Sequence, residues 1–146
     1  MEYDFHKGDW VLSCAMPYPQ FVKIKQEHTD IEIVADIRDE ANDRITTAII
    51  DWEELEAIPI DPDVLDAFGF TLEYIADMCF AKLKFDDGTG VYLSKKGMEW
   101  VFSNNEPFEI PPFIYATVCC PVVNIHDIQH AMRVAGITKE LEYKEK

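Results

Sequence analysis

The stretch Trp52 to Phe70, WEELEAIPIDPDVLDAFGF, constrains the fold of this chain more than any other, because it spells out a short helix with both of its stop signals. Asp61 is placed to accept a backbone N–H as N-cap. Pro62 follows at the first helical position, where its fixed φ helps and its missing N–H costs nothing. Gly69 supplies the left-handed residue that ends the helix. With Phe68 as C-cap, Leu65 and Phe70 fall at the two positions that touch in a Schellman ending. Two turns is all the room available, so the helix is stable only if Val64, Leu65 and Phe68 dock on a core.

The same stretch is one-sided in charge. From Asp51 to Asp66 there are seven acids (Asp51, Glu53, Glu54, Glu56, Asp61, Asp63, Asp66) and no base, and Asp30 to Asp43 adds six acids against Arg38 alone. The whole chain carries a formal net charge of −15. Binding to a phosphate backbone needs clustered Lys and Arg, so direct nucleic-acid binding is not expected. A basic protein or peptide is the partner such a surface fits. The plainer reading is a solvated face that keeps a small protein soluble, which is what charge runs usually provide.

At 146 residues the chain is read as a single domain, 1–146. That length buries about 68–70% of the unfolded surface, so no metal or disulfide is needed as a staple. Cys14, Cys79, Cys119 and Cys120 form no C-x-x-C pair, and the start MEYDFHKGDW has neither a basic nor an apolar leader region. These features point to free thiols, a cytoplasmic location and no cofactor. In FIYATVCCPVV, one of the adjacent Cys119 and Cys120 is expected to face the core and the other the opposite side of a strand. No apolar run approaches the ~20 residues of a membrane span, and no membrane partner is expected.

Strands are predicted at Gly8 to Cys14, Gln20 to Gln26, Thr29 to Ile37 and Arg44 to Ile50, separated by polar turns such as MPYPQ and RDEANDR. Val22 and Ile24, then Ile31, Ile33, Ala35 and Ile37, alternate onto one buried face. A second antiparallel group is predicted at Met78 to Phe85, Val91 to Ser94, Met98 to Ser103 and Phe113 to Cys119, with DDGTG as a hairpin turn. Val123 to Ala135 reads as a second helix, with Asn124 as N-cap, Asp127 at N3 as a short-armed capping box and Gly136 as terminator. Ile125, Ile128, Gln129, Met132 and Ala135 make its inner stripe, and His126, Asp127, His130 and Arg133 its polar face. The fold class is therefore α+β and antiparallel β-rich. An N-terminal meander or SH3-like half-barrel precedes a short central helix, and an amphipathic helix ends the chain.

Two boxes, IPIDPDVLDAFGF and VVNIHDIQHAMRVAGITKELE, with GDWV far upstream, resemble a family of small bacterial proteins common in gut anaerobes and their phages or mobile elements. Members of that family share a PIPLTPEIL…GF-like box and end in a YVHQLQN-like helix. The likeness runs in order over most of the chain. Asp61 stands where Thr is the usual cap, and Asn124 and Ile125 where an aromatic residue and Val are typical. Neither change disturbs the capping or amphipathic logic. The resemblance implies a shared fold and a mobile-element context. It brings no assigned activity and no site residues.

Signals for chemistry are thin. His126 and His130 lie four apart on the second helix, and H-D-I-Q-H is one methylene from the H-E-x-x-H of zinc peptidases. The Asp arm is shorter than a Glu arm by roughly 1.5 Å, and the sequence names no third ligand. The pair is thus a weak metal candidate, read against a helix surface in which His126 packs or caps. Ser13, Ser94 and Ser103 lack a G-x-S-x-G elbow, no cysteine carries a local nucleophile signature, and Gly88 and Gly90 sit beside acids that would repel phosphate. Proline-flanked aromatics, Tyr18 in MPYPQ and Phe108 in NNEPFEIPP, fit a binding surface better. The leading reading is a noncatalytic interaction protein, a phage or mobile-element accessory factor. It would bind a basic protein through Trp52, Glu53, Glu54, Glu56, Tyr18 and Phe108. The alternatives are a DNA-mimic inhibitor, and a metal-dependent hydrolase using His126 and His130.

Overall fold

The computed structural model describes residues 5–14, 19–39, 44–105 and 118–144. Backbone contacts group the chain into two compact units, Met1–Ile58 and Pro59–Lys146. Both are built on antiparallel sheets, and two short helices lie in the second.

The first unit holds five strands: β1 (Trp10–Ser13), β2 (Gln20–Thr29), β3 (Glu32–Asp39), β4 (Arg44–Asp51) and β5 (Leu55–Glu56). They pair in the order β4-β3-β2-β1-β5, so the chain winds outward to β4 and returns through one 3-10 turn, Trp52–Glu54, to place β5 beside β1. Strict alternation produces the core of this unit: Val11, Val22, Ile24, Ile33, Ala35 and Ile50 all point inward, with Trp52 and Leu55 closing the cluster. Register is held by this burial, because a slip of one residue would turn every inward side chain out.

Ile31 departs from the expected inward row and is 63% exposed. It sits in the β2–β3 turn rather than in β3, and its contribution is its carbonyl, which accepts the N–H of Trp52 at 2.9 Å. β2 also runs three residues past its predicted end, with register irregularities between Ile24 and Gln26 and between Glu27 and Thr29.

The second unit starts with the helix read from sequence, α1 (Pro62–Ala67), and every cap is as expected. Asp61 Oδ1 accepts the N–H of Val64 at 2.9 Å. At the other end the N–H of Phe70 reaches the carbonyl of Leu65 (3.0 Å) and that of Gly69 the carbonyl of Asp66 (3.0 Å), the two bonds of a Schellman motif. Gly69 has φ +90°, a conformation in which a Cβ is strained. Leu65, Phe68 and Phe70 are all buried.

Five strands follow: β6 (Thr71–Ile75), β7 (Met78–Lys84), β8 (Gly90–Lys96), β9 (Glu99–Ser103) and β10 (Cys119–Val122), paired in the order β10-β9-β8-β7-β6. β6 is an addition to the sequence reading. The strand expected at Phe113 to Cys119 falls mostly outside the described residues, and β10 begins at its last position. Cys119 is exposed and Cys120 half-buried, as alternation along a strand requires. α2 (Ile125–Val134) closes the unit, and Gly136 ends it at φ +78°. Ile125, Ile128 and Met132 are buried together with Leu141 of the segment that follows. That segment runs back to α1, where Lys144 N–H donates to the carbonyl of Ala67 (2.7 Å) and Tyr143 packs on Phe68 at 5.5 Å between ring centroids. Among the described residues no helix is long and apolar enough to cross a membrane.

Candidate acidic interaction surface

Asp51 ends β4 and turns the chain. Its carboxylate accepts the N–H of Glu53 at 2.9 Å, which sets up the 3-10 turn in the way an N-cap starts a longer helix. Within the turn the side chains divide by chemistry. Trp52 is 4% exposed and Leu55 7%, both inside the apolar cluster of the first unit, while Glu53, Glu54 and Glu56 all face solvent. The turn is also tied to the sheet through its backbone. Cys14 N–H donates to the carbonyl of Glu54 at 2.8 Å, and Leu55 and Glu56 pair with Ser13 and Leu12.

Three carboxylates are thus mounted on the turn and on β5 just after it, which two buried side chains and a strand pairing hold in place. No Lys or Arg among the described residues forms an ion pair with Glu53, Glu54 or Glu56. The field of two of them, Glu56 and Glu54, is felt at Cys14. Its thiol pKa is raised by the loss of water around it and then by the carboxylates of Glu56 and Glu54, with Glu56 also accepting its hydrogen bond.

Trp52 requires a correction. A partner-facing role for its ring does not fit, because the indole fills the core and fixes the turn that displays the acids. Tyr18 and Phe108 lie outside the described residues, as do Phe113 and Tyr115. Elsewhere in the chain Tyr92, Trp100 and Phe102 are core residues. The exposed aromatic that sequence did not single out is Tyr74, at 66% on edge strand β6, where its hydroxyl pKa is raised first by Cys79 across the hairpin.

His126 and His130 project along α2 with their rings edge to face, 5.4 Å between centroids. His126 is 3% exposed, so it belongs to the buried side of the helix with Gln129 and not to the polar face expected for it. Asp127, the residue in the general-base position of the zinc-peptidase string, spends its carboxylate on the helix start. Oδ2 accepts the N–H groups of Asn124 (2.9 Å) and Val123 (3.1 Å), and Oδ1 lies 3.5 Å from His126 Nε2. Among the described residues no three His, Cys, Asp or Glu side chains converge in a way that could hold a metal ion. H-D-I-Q-H is accounted for as a capping box followed by a packed imidazole.

A cleft of ≈ 280 Å³ lies between α2 and the segment after Gly136, lined by Gln129, Met132, Arg133, Ile137 and Leu141 among others. Lys139 on its wall is engaged by Asp86 at 3.0 Å.

Comparison with protein-family models, with curated proteins and with solved structures finds no match for this chain.

Proposed function

We propose that this protein is a noncatalytic interaction module that captures a basic protein or peptide in the cytoplasm. Its contact surface is the acidic turn formed by Asp51, Glu53, Glu54 and Glu56. The observation that carries the reading is the division of labour within the turn. Trp52 and Leu55 are sunk in the core, so the three carboxylates between and beside them are presented on a fixed frame. A charged patch on a rigid frame loses little ordering entropy on binding and steers a cationic partner from a distance. The resemblance to proteins of phages and mobile elements supports an accessory role beside such a partner.

Charge reversal tests the reading. The triple substitution Glu53→Lys, Glu54→Lys and Glu56→Lys removes salt-sensitive capture of basic proteins from host lysate while leaving the fold intact. A triple variant that keeps every partner of the parent chain contradicts it.

A further inference from the structure

β4 is the outer strand of the first unit's sheet, and among the described residues nothing pairs with its free edge. Natural edge strands are usually guarded by lysines, prolines, bulges or shortness. β4 has none of these between Ile45 and Ile50. It is eight residues long, reads RITTAIID, and pairs with β3 in unbroken register from Arg44 opposite Asp39 to Asp51 opposite Glu32. Its outward face carries Ile45, 72% exposed, then Thr47, then Ile49, 54% exposed. Thr47 is held in place by its hydroxyl, which donates to Asp36 Oδ1 at 3.0 Å. Asp51 ends the strand, and Glu53 and Glu54 follow in the turn after it.

An apolar strand edge running into a cluster of acids has the requirements of strand addition. Main-chain pairing supplies affinity, and alternate side chains read the surface. We propose that β4 accepts an extended segment of a basic protein as an added antiparallel strand. Aliphatic or β-branched side chains lie over Ile45 and Ile49, and Lys or Arg lies beside Asp51, Glu53 and Glu54. The charge half of this inference rests on the acidic-surface reading; the edge half stands by itself.

A second copy of the chain is the other candidate occupant, and charge argues against it. Two copies paired antiparallel about Thr47 would match Ile45 with Ile49 on each side. The same register would bring the Asp51, Glu53 and Glu54 groups of both copies onto one shared edge. Each chain also carries a net charge of −15. Like charges directly opposite are destabilising in a strand pair. A basic partner meets Asp51, Glu53 and Glu54 with opposite charge instead.

The probe is a fluorescent peptide, KKVTVTVKK, titrated with the full chain and read by anisotropy. Set antiparallel with its central valine opposite Thr47, its outer valines meet Ile45 and Ile49 and its first lysine meets Asp51. Two further peptides carry backbone N-methyl groups on alternate amides, one on the valines and one on the threonines. Only one of these sets can face β4, because alternate amides of a strand point to opposite edges.

Strand addition predicts that one methylated peptide binds at least tenfold more weakly than the parent while the other binds as well as it does. Ile45→Lys and Ile49→Lys, both at exposed positions, weaken the parent peptide to a similar degree. Equal binding of both methylated peptides, or no binding of the parent, overturns the inference. If Glu53→Lys with Glu54→Lys leaves affinity unchanged while the one-sided methylation effect persists, the edge site stands and the acidic-surface reading fails. If that pair abolishes binding and methylation has no effect on either edge, the acidic surface stands and the edge site fails.

Discussion

Trp52 and Glu53 are consecutive residues of one 3-10 turn, yet the indole is 4% exposed within the core of the first unit and the carboxylate beside it faces solvent. The two side chains are opposite faces of one device, in which apolar burial fixes the backbone that carries the charge. Their substitutions should therefore separate cleanly. Trp52→Ala costs about 3–5 kcal/mol, the range for emptying a large aromatic site. Glu53→Ala stays within about 0.5 kcal/mol, as surface changes do. Urea unfolding of the two variants, read by far-ultraviolet circular dichroism, checks the contrast. A small loss for Trp52→Ala would mean that the turn is not anchored through the core.

Cys14 offers a chemical readout of the same acids. Because lost hydration and the carboxylates of Glu56 and Glu54 hold its thiol above the ordinary range, it carries less thiolate than a free cysteine at any given pH. Alkylation by iodoacetamide at pH 8 should run faster in Glu56→Gln than in the parent, with the rate profile of Cys14 moved toward lower pH. Cys119, in the second unit, serves as the internal reference and should keep its rate. Peptide mass spectrometry resolves the two sites. An unchanged Cys14 profile in Glu56→Gln would remove Glu56 from the field around it.

Ala76 is the one non-glycine residue with positive φ, +53°, among the described residues. It stands first in the two-residue turn between Ile75 and Met78, a position that favours glycine in a type II′ hairpin. An alanine there is held in a left-handed conformation that costs about 1–2 kcal/mol. Part of that cost is offset by the unfolded-state entropy that glycine adds. Ala76→Gly should therefore stabilise the protein by about 0.5–1 kcal/mol, seen as a higher urea midpoint at unchanged slope. A lower midpoint would show that the turn does not strain alanine.

These residues also explain how far the chain could be read in advance. α1 was legible to the atom, since Asp61, Pro62 and Gly69 each do locally what their chemistry permits, and the capping box of Asn124 and Asp127 was equally plain. The alternation of Val22 with Ile24 and of Ile33 with Ala35 exposed the first sheet. β6 was hidden by Ala76 and Asp77, because the hairpin lacks the glycine that announces such a turn. β5 was hidden by its length of two residues, held by pairing with β1 rather than by any pattern of its own.

Within the site, the acids were found but not their mounting. Composition marks Trp52 as an aromatic beside carboxylates, and only the return of the chain to β1 sends its ring inward. The exposed pair Ile45 and Ile49 was missed for a related reason. After Arg44 the run ITTAII is apolar or neutral on both faces, so period alone does not say which face meets the core, nor that β4 is an edge. Helical spacing puts His126 beside Asp127 on a polar face. Its burial follows from packing in the second unit, which periodicity does not report.

The most direct test of the acidic surface is a pull-down from native host lysate at low and moderate salt, with the parent chain and the Glu53→Lys, Glu54→Lys, Glu56→Lys variant run side by side and the captured proteins identified by mass spectrometry. Screening shortens the reach of exposed charges to about 8–10 Å at moderate ionic strength, so a partner held by this surface must fade with salt. The account predicts a basic protein enriched by the parent at low salt, diminished at moderate salt and absent from the variant. The same proteins captured by both chains, at both salt concentrations, would contradict it.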